Sequence, residues 1–176
     1  CVIESGLTNA TSPAKAQGYW QFVKSTGAKY GLEINDDVDM RNSLEASTEA
    51  ACKFLKDLYR QFGSWTLAAA AYNCGENGLQ RRINSQGVSS YYDLRLNSET
   101  SRYVYRIIAA KIMFSDPTQF GFKLKATDLY MPIPYKEVEV TTGILNLASW
   151  AKEQGTTYAL LKNLNPWLRD TSLQNV

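Results

Sequence analysis

The stretch from residue 48 to residue 62 restricts the fold of this chain more than any other. Apolar side chains recur there at intervals of three or four positions, and Gly63 follows the last of them. These apolar residues are Ala51, Phe54, Leu55, Leu58 and Phe62. The spacing predicts an amphipathic α-helix that begins after an N-cap at Ser47 and buries one face.

A second helix is predicted directly after it. Ser64 is suited to an N-cap, and residues 68–71 are four consecutive alanines in an apolar run that ends near Gly75. Alanine side chains are so small that neighbouring helices can approach closely. The sequence therefore predicts that this helix passes through the middle of the domain.

Further helices are predicted on both sides of this pair. Residues 18–30 have an apolar side and end at a glycine. Residues 99–114 follow a cap at Ser98 and precede Pro117, which cannot continue a helix. The predicted fold class of residues 1–115 is therefore all-α.

The composition changes after these helices. Prolines bracket an extended stretch, and residues 136–140 alternate like a short strand. Residues 144–154 and 158–164 are predicted to be two more helices. We therefore expect two parts, a helical domain over residues 1–115 and a small extension over residues 116–176 that packs on it.

The composition excludes several function classes. The 176 residues include no His, which removes Ser-His-Asp and Cys-His catalysis and most catalytic zinc sites. The three Cys lack CxxC spacing, so we expect neither a metal nor another cofactor. The net charge of +2 comes with scattered Lys and Arg, so nucleic acid is not an expected partner. No apolar run is long enough to cross a membrane. A monomer is expected.

The candidate catalytic group is Glu4, which lies between Val2-Ile3 and Gly6-Leu7. An apolar setting disfavours the charged form of a carboxyl and raises its pKa, so that the group can hold a proton near neutral pH. Such a group can give its proton to a leaving oxygen, as the acids of glycosidases do. A single Glu is more often a solvated surface acid, and the motifs that follow decide between the two interpretations.

Glu4 opens a series of motifs that extends to about residue 115. In chain order they are Glu4-Ser5, Ser12-x-x-x-Ala16-x-Gly18-x-Trp20-Gln21-Phe22, Thr26-Gly27-x-x-Tyr30-Gly31-Leu32, Asp39-x-Arg41, Ala70-Ala71-Tyr72-Asn73-x-Gly75 and Glu99-Thr100-x-x-Tyr103-Val104. Together they resemble the catalytic domain of bacterial lytic transglycosylases, which are family 23 glycoside hydrolase-like enzymes related in fold to goose-type lysozyme. Within that family, Trp20 in the Gly-x-Trp-Gln-Phe motif and the long C-terminal extension resemble the D group of membrane-bound lytic transglycosylases. One departure from the family is Lys15, where Gly is usual.

The resemblance implies a lysozyme-like α-helical fold and an enzyme that acts on peptidoglycan glycan strands. It makes Glu4 the catalytic residue and implies substrate contacts for six others, which are Ser12, Gln21, Tyr72, Asn73, Glu99 and Tyr103. From the residues alone, Ser12 is equally suited to cap the next turn, and Glu99 to complement a helix N-terminus. The resemblance also implies a location in the periplasm or cell envelope of a bacterium, and a helix that leads into Glu4 and precedes the first residue here.

Two other segments are candidates for glycan contact. Residues 138–166 weakly resemble a LysM module, which binds glycan chains, although the second strand of such a module is absent by residue 176. A structural appendage on the catalytic domain is the favoured interpretation of this segment. In the loop over residues 84–97, Tyr91 and Tyr92 are candidates for stacking on sugar rings.

The chemistry follows from the small number of carboxylates in these motifs. Glycosidases normally use two carboxylates, whereas a substrate acetamide can replace one of them. The resemblance implies that Glu4 protonates the oxygen between N-acetylmuramic acid and N-acetylglucosamine, and then accepts a proton from the 6-hydroxyl as a 1,6-anhydro ring closes. A lysozyme-like hydrolase of the same bond and a non-catalytic peptidoglycan-binding module are the alternatives.

Two side-chain pairings stay open from the sequence. Cys52 and Cys74 lie on consecutive helices, so they are either a disulfide or two small buried thiols. Arg41 follows Asp39 by two positions, which favours a local ion pair or a clamp on a turn.

Overall fold

The computed structural model describes residues 1–174 and divides the chain into two compact units. The first unit consists of Cys1–Ala51 together with the C-terminal part of the chain from Ile133 onward. The second unit is Cys52–Pro132, which is continuous in sequence. The first unit therefore depends on pairing between distant parts of the chain, and the second does not.

Helices are the main regular secondary structure of the chain, and the prediction of a mainly α-helical fold is confirmed. The α-helices are α1 (Val2–Ser5), α2 (Lys24–Lys29), α3 (Leu44–Phe62), α4 (Trp65–Cys74), α5 (Glu76–Gln86), α6 (Ser98–Ser115), α7 (Leu147–Glu153) and α8 (Tyr158–Leu164). Short 3-10 helices lie at Met40–Asn42, Tyr91–Asp93, Pro117–Phe120 and Ala126–Asp128. Over residues 1–174, strand pairing is limited to isolated bridges, for example between Thr11 and Gln17.

The core of the second unit forms around α4, as the alanine run predicts. Ala68, Ala70 and Ala71 have no exposed surface. Leu58 from α3, Leu79 from α5 and other apolar residues belong to the same buried cluster. The short alanine side chains let α4 lie close to α5 and α6, because little side-chain volume separates the helices.

Helix α3 begins four residues earlier than the sequence predicts. Its first residue is Leu44, and the hydroxyl of Ser43 accepts a hydrogen bond from the amide of Ala46 at 3.3 Å, as an N-cap does. Ser47 is therefore inside the helix, and its buried hydroxyl donates to the carbonyl of Ser43. The prediction of Ser47 as the cap was wrong, because two serines four positions apart are equally suited to that place.

The predicted helix over 18–30 is also shorter than expected. Residues 18–21 form a turn, Phe22 forms an isolated bridge with Gln17, and the helix covers Lys24–Lys29. Gly18 and Gln21 both have positive φ, of 84° and 51°, which a right-handed helix cannot contain. A Cβ on Gly18 would lie 1.8 Å from the carbonyl oxygen of Arg41, so this position requires glycine.

The C-terminal segment forms both predicted helices but not the predicted strand. α7 and α8 each have a side-chain N-cap, from Asn146 and Thr157 respectively. Residues 136–140 pair with no strand in the described part of the chain, which is a correction to the sequence prediction. Period-two alternation alone does not supply a partner edge for the backbone hydrogen bonds.

Backbone hydrogen bonds join the C-terminal segment to residues 35–39 within the first unit. The amide of Asp39 donates to the carbonyl of Trp167 at 2.8 Å, and the amide of Arg169 donates to the carbonyl of Asp37 at 2.8 Å. The division into domains at residue 115 stays a prediction. Among the described residues, no helix combines the length and apolarity that are needed to cross a bilayer.

Candidate active site

Glu4 lies in the single turn of α1 in the first unit, and it is partly buried. Gly6 ends this turn in the left-handed conformation, with φ of 61°. The hydroxyl of Ser5 donates to the carbonyl of Tyr19 at 2.9 Å, which ties the turn to the segment around Gly18. The backbone that carries Glu4 is thereby held by the next loop of the chain.

Ser12 closes a tight turn in that loop. Its hydroxyl accepts a hydrogen bond from the amide of Ala16 at 3.0 Å, and its own amide donates to the carbonyl of Ala16 at 2.9 Å. Lys15 within the turn has φ of 60°, a conformation that favours the glycine usual there in the family. The turn-closing interpretation of Ser12 thus has direct support, and its substrate contact stays a prediction.

Gln21 is placed by its side chain as well as by its backbone. Its amide nitrogen Nε2 donates to the carbonyls of Ala10 at 2.9 Å and Gly18 at 2.8 Å. These bonds connect two segments of the loop and occupy the donor half of the amide. A sugar contact through the nitrogen would have to break them, so we assign Gln21 a positioning role.

Arg41 and Asp39 form a buried ion pair in the first unit, with 8% and 2% of their side chains exposed. The guanidinium donates to both carboxylate oxygens, at 2.9 Å from Nε and 2.6 Å from Nη2. This two-pronged geometry fixes the plane of the guanidinium. The ion pair that the sequence suggested is therefore present.

The same guanidinium clamps the loop that follows Glu4. Nη1 donates to the carbonyls of Phe22 at 3.1 Å and Lys15 at 3.3 Å, and Nη2 donates to the side-chain oxygen of Gln17 at 3.1 Å. The Asp39-x-Arg41 spacing indicated a local clamp, but it could not show that the clamp reaches residues 15–22. Those contacts depend on how the loop folds.

In the second unit, Asn73 lies near the end of α4 and contacts the start of α6. Its Nδ2 donates to Glu99 at 3.3 Å, and its Oδ1 accepts a hydrogen bond from the hydroxyl of Thr100 at 2.8 Å. The structure therefore brings together two predicted site residues, Asn73 and Glu99. Thr100 is buried and was missed, although it is part of the Glu99-Thr100 motif.

The aromatic candidates of the second unit differ in burial. Tyr72 is partly buried and its ring centroid lies 5.2 Å from that of Phe54. Tyr103 is buried. Tyr91 is buried too, and its hydroxyl contacts the carbonyls of Thr100 and Ser101 at 2.8 Å each, so sugar stacking by Tyr91 was a wrong prediction. Tyr92 is exposed.

All three cysteines are free thiols, so the possible Cys52–Cys74 disulfide is absent. Cys52 is exposed on α3, whereas Cys74 is partly buried at the end of α4, and burial raises the pKa of its thiol. Helix order placed both residues on neighbouring helices, but it did not fix the direction of either side chain. The exposure of Cys52 also contradicts the alternative of two buried thiols. Within residues 1–174, no cluster of three or more acids or cysteines could hold a metal ion.

Comparison with known proteins shows the class of protein to which this site belongs. The chain belongs to the family described as "Transglycosylase SLT domain", which matches residues 2–94 and so includes α1, α4 and the whole Arg41 clamp. A second family, "Soluble lytic transglycosylase C-terminal LysM-like domain", matches residues 136–176, the part of the chain where a LysM-like pattern was noted.

Among individual proteins, the chain is similar to "Membrane-bound lytic murein transglycosylase D" of Escherichia coli (strain K12). The two are 31% identical over 178 residues, which is 98% of this chain and 39% of that protein. The protein of the same name from Escherichia coli O6:H1 matches equally. A "Putative tributyltin chloride resistance protein" of Alteromonas sp. (strain M-1) is 34% identical over 86 residues, or 48% of this chain and 42% of that protein. The chain thus spans about two fifths of the length of these relatives.

Proposed function

We propose that this chain is the catalytic part of a peptidoglycan lytic transglycosylase. The observation that carries the proposal is the SLT family match, which begins at residue 2 and includes Glu4. The printed name of the E. coli relatives, a murein transglycosylase, agrees with it. The substrate bond is the β-1,4 link between N-acetylmuramic acid and N-acetylglucosamine.

In this reaction Glu4 acts first as an acid and then as a base. Its proton moves to the bridging oxygen while the bond from C1 of the muramic acid to that oxygen breaks. The 6-hydroxyl of the same sugar then bonds to C1 and gives its proton to the Glu4 carboxylate. Atoms balance without water, and the product carries a 1,6-anhydro ring.

Glu4 needs a fixed position for both proton transfers, and the first unit supplies one. Ser5 ties α1 to Tyr19, and the Arg41 guanidinium holds the following loop at Lys15 and Phe22. A fixed acid raises the effective concentration of the reacting groups. We therefore assign Ser5 and Arg41 as positioning residues for Glu4.

Six other residues are proposed to contact substrate or to shape its site. Asn73 and Glu99 already form a hydrogen-bonded pair that can orient an acetamide or a hydroxyl of the sugar. Tyr72 on α4 is partly buried and supplies aromatic surface beside Asn73, whereas Tyr103 on α6 is buried and would shape the site by packing. Ser12 and Gln21 contribute by shaping the loop after Glu4, as their hydrogen bonds indicate.

The lysozyme-like alternative requires a second carboxylate to activate water. Asp39 is fully engaged with Arg41, and one oxygen of Asp37 accepts the amide of Gln174 at 2.9 Å. Glu33 accepts a hydrogen bond from Asn35 at 2.7 Å. Three of the candidate acids are thus already engaged, which supports the internal 6-hydroxyl as the attacking group.

A digestion in heavy-oxygen water tests the reaction class. Purified sacculi treated with the wild-type chain should release muropeptides that end in 1,6-anhydro-N-acetylmuramic acid, lighter by one water and unlabelled. Glu4→Gln should fold normally and lose activity by a factor of about 10² to 10⁴. Glu45→Gln, at an exposed acid in the first turn of α3, is the matched control and should retain full activity. Labelled reducing ends would make the chain a hydrolase, and normal turnover by Glu4→Gln would refute the assignment of the acid.

We also infer that the chain works in the bacterial cell envelope, in the periplasm or at a membrane. The name of the E. coli relatives, which includes both murein and membrane, supports this location. Peptidoglycan is the proposed partner, and the chain is expected to act as a monomer.

A further inference from the structure

The C-terminal part of the first unit contains a cavity of about 490 Å³ that the proposed reaction does not use. One wall is a stripe along α7 and its cap, formed by Asn146, Ser149, Trp150 and Glu153. These positions are three or four residues apart, so they share one face of the helix. The other wall is the extended stretch over residues 138–145. The volume lies within the usual range for small-ligand pockets.

The position of the cavity is fixed by hydrogen bonds beneath it. Ile144 is buried, its amide donates to the carbonyl of Leu173 at 2.6 Å, and its carbonyl accepts the amide of Leu173 at 2.8 Å. Leu147, at the start of α7, is also buried. The amide of Leu147 donates to the carbonyl of Thr171 at 2.8 Å, so both walls form backbone hydrogen bonds to the same segment, residues 171–173.

The charged residues that line the cavity are all acidic. Glu139 lies on the extended wall and Glu153 on the helical wall, and none of the described lining residues is Lys or Arg. In the described chain no Lys or Arg forms an ion pair with either carboxylate. Trp150, one turn before Glu153, adds an aromatic ring to the same face. An aromatic ring beside carboxylates is a setting that attracts an organic cation and repels an anion.

We propose that this cavity binds a primary ammonium group on the peptide stems of peptidoglycan. The diamino-acid residue of such a stem carries an ammonium group on a flexible side chain. Glu139 and Glu153 would accept its hydrogen bonds, and the Trp150 ring would contact its charge. Thr141, Thr142 and Ser149 also line the cavity and offer hydroxyl groups to the peptide backbone. The proposal rests on the proposed function only in naming peptidoglycan as the source of the amine.

A pair of peptides that differ by one charge tests this proposal. The peptide is L-alanyl-γ-D-glutamyl-L-lysine with its α-amino group acetylated, and its partner has the lysine ε-amino group acetylated as well. Isothermal titration of the full chain should give a Kd about five- to tenfold lower for the free ε-amine, since acetylation removes the charge. Neither peptide contains a glycosidic bond, so the titration does not depend on the transglycosylase reaction.

Three variants locate the binding. Glu153→Gln and Trp150→Phe should each reduce the preference for the free amine about threefold or more, with an unchanged circular dichroism spectrum. The matched control is Glu137→Gln, at an exposed acid of the same segment that does not line the cavity, and it should keep the wild-type preference. Equal affinity for both peptides, no binding of either, or an equal effect of Glu137→Gln would overturn the proposal. Binding of a neutral N-acetylglucosamine tetramer that is lost in Trp150→Phe but unchanged in Glu153→Gln would also overturn it, because the cavity would then be a neutral glycan site.

The peptide titration and the sacculus digestion can fail independently of each other. If digestion yields anhydro products and the peptides show no charge preference, only the cavity proposal fails. If the peptides bind as expected and digestion yields no anhydro product, the proposed reaction fails while the cation site stands.

Discussion

The two units bury different chemistry. The second unit buries alanine, leucine and aromatic side chains. Among residues 52–132, all of which the structure describes, Thr100 is the one buried residue of the polar or charged types. The first unit combines apolar residues with a large buried polar set, which consists of Asp37, Asp39, Arg41, Asn42, Ser43 and Ser47. The difference follows from local structure, because long helices pair their own backbone groups, whereas turns must borrow partners from side chains.

The two units differ in how precisely each contact must be defined. In the second unit, close helix packing requires small residues at the contacts but no unique partner for each atom. In the first unit, one guanidinium holds the carbonyls of Lys15 and Phe22 and the carboxylate of Asp39. The loop beside the candidate acid is therefore defined by directional bonds, and these should respond to mutation more sharply than the apolar packing does.

The largest expected effect is the loss of the buried cation. Arg41→Met should reduce the free energy of unfolding by about 3–5 kcal/mol, because it leaves the Asp39 carboxylate buried without a partner. Arg60→Met, which breaks the exposed Arg60–Asp57 pair of the second unit, should cost at most about 1 kcal/mol. Urea unfolding of both variants measures the contrast. Equal effects would mean that burial of the first pair contributes nothing.

The next largest loss of stability is expected where two backbone segments of the first unit approach closely. Gly18→Ala should cost about 3 kcal/mol, because its Cβ would meet the Arg41 carbonyl oxygen at 1.8 Å. Gly31→Ala is the control, since Gly31 also has positive φ but no atom near its missing Cβ. That variant should lose only about 1–2 kcal/mol from its backbone conformation. Thermal unfolding monitored by circular dichroism would show a clearly lower Tm for the first variant, and similar values would contradict the steric argument.

Overpacking tests the second unit. Ala71→Leu adds three carbons to a side chain with no exposed surface, and it should destabilise the protein by about 1–3 kcal/mol. Ala109→Leu, on the exposed side of α6, should change stability by no more than about 0.5 kcal/mol. Chemical denaturation compares the two. A neutral Ala71→Leu would show that α4 does not need its small side chains.

The smallest expected effect is a gain in stability. Lys15→Gly should stabilise the protein by about 0.5–1 kcal/mol, because glycine removes the strain of φ at 60° but adds freedom to the unfolded chain. Lys53→Gly, at an exposed position inside α3, should have the opposite sign and destabilise by about 1 kcal/mol. Matched urea curves give both signs, and a destabilising Lys15→Gly would refute the assignment of strain to that turn.

Sequence reasoning succeeded where local periodicity decides structure. Helices α3, α4 and α6 were predicted from apolar stripes and terminating residues, and the motif series identified the family before any geometry was known. It failed where distant contacts decide. Gln21 has positive φ and its side chain bonds to the carbonyls of Ala10 and Gly18, and no helical pattern contains that information.

The sequence named candidate site residues, which stay predictions, but it could not give their arrangement. Asn73 and Glu99 were both named, yet their hydrogen bond and the role of Thr100 depend on how α4 meets α6. The extent of the Arg41 clamp and the burial of Tyr91 likewise follow from tertiary contacts. A resemblance to a family indicates candidate side chains, and only the folded structure shows what each one contacts.

The assembly of the first unit from two distant parts of the chain has a consequence during protein synthesis. The guanidinium of Arg169 donates to the carbonyl of Asn35, 134 positions earlier, so this contact cannot form until Arg169 has been synthesised. At about 5–20 residues per second, residues 1–51 would wait several seconds or more for their partners. The second unit is continuous and can fold in that interval. The candidate acid is thus made well before the residues that complete its unit.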